Sequence, residues 1–186
     1  KILIAAGMTK ITLIDVHGVV SQNDDRYNSY QRELARKVSQ AAGETLDDVI
    51  TGQDVFIGLS DAHVLSGEQV AKMGARPIIF ALANPVPEIL PEEALAAGAK
   101  VVATGSSQWP NQVNNVLVFP GLFKGLLASG LKHVDMALQV QIAKALANMM
   151  TDPDETHIVP GVFGKGVVSQ VEAAVLTYAK QHKEGS

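Results

Sequence analysis

The sequence predicts an α/β fold built on a parallel sheet with helices on both faces. Three observations predict it. Short apolar runs rich in Val and Ile stand at residues 11–14, 54–58, 77–82 and 100–103. They are continuous rather than alternating, as in strands covered on both sides. Between them lie segments with helical start and stop signals, giving units of about 20 to 40 residues that suit parallel crossovers.

The elements follow in order. Residues 2–6 are apolar and end at Gly7, which reads as the last turns of a buried helix closed by a C′ glycine. A helix that opens halfway implies a fragment whose upstream part is missing. Residues 11–14 read as a buried strand ending at Asp15, with His17-Gly18 as the turn after it. Residues 26–42 read as a helix with Tyr30, Leu34 and Val38 on its apolar face, stopped by Gly43. Leu46, Val49 and Ile50 mark another short helix. Ser66 and Gln69 have capping-box spacing at the head of a helix over 66–73. Pro91 starts, and Gly98 follows, a helix over 91–97. Beyond Pro120 the pattern turns helical, at 121–129, 136–150 and 167–180. Met136, Val140, Ala143 and Ala147 form the expected packing stripe of the middle one. Residues 151–166, with two Pro and three Gly, read as a loop.

Composition excludes several classes. A chain of 186 residues without a linker is read as one domain, residues 1–186. It is 47% hydrophobic and 18% charged, too apolar for a disordered chain. Its 15 basic and 19 acidic residues give a net charge of −4, which argues against a nucleic-acid partner. No apolar stretch reaches the roughly 18 residues of a membrane span. Without cysteine there is no disulfide, thiol nucleophile or thiolate metal ligand. A cytoplasmic location is expected.

Ligands of open α/β sheets bind beyond the carboxyl ends of the strands. The polar residues there are Asp15, the Ser60-Asp61 pair, Asn84 and residues 104–107. Asp15 can accept both hydroxyls of a ribose, or it can be a turn-forming Asp. No G-x-G-x-x-G precedes it. Gly161, Gly164 and Gly166 do not complete that fingerprint, because Ser169 stands at its third glycine and no strand precedes them. Gly58-Leu59-Ser60-Asp61-Ala62 approaches a nucleophile elbow, but the helix starts at Ser66 instead of at the serine. Ser60 then caps a loop over a ligand or satisfies backbone donors. Asn84 sits at a strand end before a stiff X-Pro stretch. Asn111, Gln112, Asn114 and Asn115 crowd four amides into five residues. Amides both donate and accept, so they can orient a carboxamide or a carboxylate without titrating. Asx-turns and caps account for one such residue better than for four. Trp109 reads as a partly buried loop anchor. The five His show no metal-ligand spacing.

FALANPVPEI and PNQVNNVLVFPG, within a run from Asp54 to Leu127, resemble the nucleotide-binding domain of the malic enzyme family in its compact bacterial form. The likeness reaches back through ITLIDVHGVV and forward to Ala179. It implies a Rossmann-type domain whose first strand and phosphate loop lie upstream. It implies oxidative decarboxylation of malate to pyruvate with NAD or NADP, and Mg or Mn held by residues outside this chain. Asp15 becomes the ribose acid, Asn84 lies near the nicotinamide, Asn115 touches cofactor and substrate with Asn114 beside it, and Asn84, Asn114 and Asn115 are the substrate-binding candidates. Ser60 completes the cofactor candidates. The family's Tyr, Lys and metal-binding acids have no counterpart here, so no catalytic or metal residue is expected. Asp15 followed by Val16, His17 and Gly18, with no Lys or Arg between it and Arg26, predicts NAD over NADP. Where the family pattern reads GRSDYPNQ, this chain has Ser106 and Gln108 for the Arg and the Asp, and Ala128 replaces a usual Asp. Such a loop also suits a metal-dependent oxaloacetate decarboxylase of the same family, and a non-catalytic nucleotide-binding module is the alternative from another class. The expected partners are a small dicarboxylate, malate or oxaloacetate, and a second copy in a full-length homodimer.

Overall fold

A computed structural model describes residues 1–39 and 41–183. The chain divides into two units, Lys1–Val102 and Ala103–Ser186.

In the first unit, helix α1 (Ile2–Ala5) ends before Gly7, which takes φ +97° as a C′ glycine does. The helix is not buried. Ile2 and Leu3 are 41% and 42% exposed, and none of its residues is buried. The strand expected over 11–14 shrinks to β1 (Ile14–Asp15), paired antiparallel with β2 (Gly18–Val19). Local turn chemistry overrides strand propensity here. The Asp15 side chain accepts from His17 N at 2.8 Å, and Gly18 takes φ +103°. Together they fold the chain back on itself.

Helix α2 (Ser29–Ala35) is shorter than the expected 26–42. Arg26 is held in a turn by Asp24, and the capping box starts at Asn28 and Gln31. The buried face is Tyr27 and Ala35, while Tyr30 is 74% exposed. Gln40, inside the expected helix, lies outside the described residues. Helix α3 (Leu46–Val49) is capped by Thr45.

The sheet of the first unit has three strands in the order of the sequence, β3 (Val55–Gly58), β4 (Ile78–Ala81) and β5 (Val101–Thr104). β3 and β4 run parallel, with Gly58 opposite Ala81. β3 is an edge strand and turns Val55 and Ile57 outward, so its apolar run is only half covered. Helix α4 (Gly67–Lys72) carries the expected Ser66–Gln69 box. Helix α5 (Pro91–Ala96) has Pro at its start, and Gly98 follows at φ +105°. Ile79, Val70, Ile89 and Ala94 form the centre of this core.

The second unit is helical. A 3-10 turn (Asn115–Leu117) leads into α6 (Phe119–Ser129), then α7 (Met136–Ala147) and α8 (Val167–Lys183). A Cβ on Gly125 would meet Val175 Cβ at 2.6 Å, so the glycine lets α6 and α8 come together. The expected stripe on α7 is displaced. Leu138 and Ile142 are buried against α8 side chains, whereas Ala143 and Ala147 face solvent. The larger apolar areas of Leu and Ile determine which face turns inward. Asp135 caps α7 through Leu138 N, and Tyr178 of α8 donates to the same carboxylate. These two bonds hold the Asp135 carboxyl below the usual range.

Candidate functional site

Asp15 closes β1 and is partly buried. One carboxyl oxygen accepts from His17 N at 2.8 Å, and the other accepts from Gln31 Nε2 at 2.9 Å. Gln31 is also the third residue of α2 and accepts from Asn28 N through Oε1. The helix cap thereby orients the acid. Each carboxyl oxygen has room for one further bond. The two cations that follow it in sequence, Arg26 and Arg32, are engaged with other acids. Arg26 forms a two-pronged pair with Asp24, closest at 2.6 Å, and this bond pulls the Asp24 carboxyl down. Arg32 pairs with Asp25 at 2.7 Å. Tyr27 packs beneath, its hydroxyl donating to Gly18 and Val19 carbonyls. Burial first, then the charge of Asp15, pushes the Tyr27 phenol up.

Ser60 and Asn84 are exposed, at the carboxyl ends of β3 and β4. The parallel register brings these two strand ends side by side. A residue that sequence reasoning did not single out joins them. Glu88 is fully buried, and its two carboxyl oxygens accept from Ser60 N at 3.1 Å and Ala83 N at 3.0 Å. The Asn84–Pro85 peptide is cis. No short-range spacing marks Glu88, because its partners belong to two different strand ends.

The remaining candidates belong to the second unit. Of the amides in 111–115, three are held by backbone. Asn111, buried at φ +58°, donates to Glu155 O at 2.8 Å and accepts from Ile158 N at 3.0 Å. Gln112 donates to Gly105 O, and Asn114 caps the 3-10 turn through Val116 N. Asn115 is exposed, and among the described residues its side chain makes no hydrogen bond. Thr104, also a candidate, is buried in a turn with Ser106. An open cleft of about 640 Å³ is lined by Trp109, Gln112, His157, Phe163 and their neighbours. At its rim Asp154 accepts from Thr156, which lowers its carboxyl to about 2.

Among the described residues no group of three or more His, Asp or Glu is placed to hold a metal ion. No described helix is long and apolar enough to cross a membrane.

Residues 4–180 match the family model described as "Malic enzyme, NAD binding domain", and the chain belongs to that family. An NAD-dependent malic enzyme of Geobacillus stearothermophilus is 43% identical over 182 residues, covering 96% of this chain and 38% of the relative. An NADP-dependent malic enzyme of Rhizobium meliloti is 39% identical over 92% of this chain and 24% of its own length. The crystal structure of the NAD-dependent malic enzyme from Thermotoga maritima superposes with a TM-score of 0.87 at 39% identity, over 94% of this chain and 46% of that one. The chain thus spans less than half the length of these relatives. The NAD-binding role, the α/β fold and the parallel sheet expected from sequence are all borne out.

Proposed function

We propose that residues 1–186 act as one dinucleotide-binding domain of an enzyme that oxidises and decarboxylates malate to pyruvate, with NAD preferred to NADP. One observation carries the reading. Asp15 is fixed by Gln31 and the His17 amide, and it retains acceptor capacity for a vicinal diol. An acid at this strand end repels a 2′-phosphate, and the pairing of Arg26 with Asp24 supports the NAD preference. The bound nicotinamide supplies the hydride acceptor. This chain's own residues bind and orient: Asp15 takes the ribose, Ser60 and Asn84 meet the cofactor beyond β3 and β4, and Asn115 reaches substrate and cofactor beside Asn114. Mg or Mn, and the groups that move protons, belong to residues outside this chain. A cytoplasmic homodimer of the complete polypeptide is part of the same proposal.

The test compares the complete polypeptide with the 186-residue chain, each given malate, NAD and Mn. Reduced nicotinamide should form with the first and not with the second. Turnover by the 186-residue chain alone would refute the division of labour. Ser106, Gln108 and Ala128 favour a second reading, metal-dependent decarboxylation of oxaloacetate. Loss of oxaloacetate without any malate oxidation by the complete polypeptide would favour it.

A further inference from the structure

We infer that Glu88 is a positioning residue for the dinucleotide, holding the two strand ends that carry Ser60 and Asn84 in one fixed arrangement. The inference rests on the nucleotide-binding reading above. Glu88 is 0% exposed, and among the described residues the polar partners of its side chain are backbone N–H groups. One oxygen serves the segment leaving β3, at Ser60 N, and the other serves the segment leaving β4, at Ala83 N. Its own backbone continues the tie. Leu65 N donates to Glu88 O at 3.1 Å, and His63 N donates to Pro87 O at 3.2 Å. The strand β3 leaves space for the carboxyl by ending in glycine, since a Cβ on Gly58 would overlap the Glu88 carboxyl carbon and Oε1.

Burying a carboxyl group is costly unless its oxygens are bonded, and an apolar side chain of the same shape would fill the space at no such cost. What an apolar residue cannot do is link two backbone segments at hydrogen-bond distance. In an open α/β sheet those two segments border the ligand crevice. Displacing a positioning group by about 1 Å there can cost on the order of 100-fold in rate. Glu88 therefore acts through Ser60 and Asn84, and need not touch the ligand itself.

The experiment uses the complete polypeptide and two variants of different chemistry. Glu88→Gln keeps the volume and one acceptor oxygen, but turns an NH2 toward the second backbone N–H. Gly58→Ala keeps the acid and pushes it aside. NAD affinity is read by calorimetric titration, kcat and KM by malate oxidation, and folding by the melting midpoint. Both variants should weaken NAD binding at least tenfold and raise the KM for NAD, in protein that remains folded at the assay temperature. In the parent, amide exchange at Ser60 and Ala83 should be slow and should slow further when NAD is added. If the parent binds NAD and both variants bind it with the parental Kd, the inference fails while the nucleotide-binding reading stands. If the parent does not bind NAD, both fail. Should neither variant fold, fast exchange at the Ser60 and Ala83 amides of the parent, or exchange indifferent to NAD, overturns the inference.

Discussion

The segment after β4 carries one amide, Asn84, and the segment after β5 carries a cluster of them at 111–115, and the two segments differ in what holds them. After β4, a buried acid does the holding. Glu88 gathers the backbone N–H groups of Ser60 and Ala83, and the Asn84 amide stays exposed. After β5, an amide does it. Asn111 is buried and bonds both ways, to Glu155 O and Ile158 N, so the density of amides there is largely architectural. Asn115 alone of that group is exposed without a hydrogen bond among the described residues. An amide becomes a site candidate when the backbone has not already engaged it, and the contrast between Asn111 and Asn115 is the place to test that.

The largest effect is expected at Asn111. Replacement by Ala removes the partner of Glu155 O and of Ile158 N, at about 0.5–1.5 kcal/mol for each of these part-buried bonds. It also forces Ala to keep φ +58°, a further cost of roughly 1 kcal/mol. Loss of about 2–4 kcal/mol of stability should appear as a lower denaturation midpoint, with kcat/KM near normal in the protein that stays folded. Asn115→Ala should do the opposite. Its kcat/KM for malate in the complete polypeptide should fall on the order of 100-fold, about 2.7 kcal/mol of barrier, with stability within about 0.5 kcal/mol of the parent. A stable but inactive Asn111→Ala, or an unstable but active Asn115→Ala, breaks the contrast.

A smaller effect sharpens it by moving stability alone. Gly125→Ala places a Cβ 2.6 Å from Val175 Cβ. Overpacking costs about 1–3 kcal/mol, and the better helix propensity of Ala returns roughly 1 kcal/mol. A net loss of about 1 kcal/mol with unchanged NAD affinity is expected by chemical denaturation and titration. The smallest effect is at the rim of the second unit. The Asp154 carboxyl is lowered in the folded chain, so its contribution is present above its ordinary pKa of 3.8 and lost as the pH falls toward about 2. Melting midpoints measured across that window should converge between the parent and Asp154→Asn as acid is added. A difference that persists unchanged at the acid end would contradict the assignment.

What could be read from sequence was what is local. The Ser66–Gln69 box, Pro91 with Gly98, and the three long helices of the second unit all rest on signals within a few residues. The turn at His17-Gly18 is legible as well, whereas apolar propensity over 11–14 overstates a strand that is only Ile14–Asp15. The α7 stripe was misplaced because period alone gave Ala143 and Ala147 the same weight as Leu138 and Ile142. Glu88 carries no signal in the sequence because its role arises only when β3 and β4 pair, and the architectural role of Asn111 within its amide cluster is hidden because its partners lie 44 and 47 residues further on. Which amide remains open is a tertiary fact. The family motifs marked both segments but not the division of work within them.

Asp15 offers the most direct measurement. Calorimetric titration of the complete polypeptide with NAD and with NADP, for the parent and for Asp15→Ala, separates a ribose acid from a turn residue. The parent should bind NAD more tightly than NADP, and Asp15→Ala should lose at least tenfold in NAD affinity, about 1.4 kcal/mol or more, while losing less for NADP. Tighter NADP binding by the parent, or an Asp15→Ala protein that binds NAD as the parent does, would contradict the account.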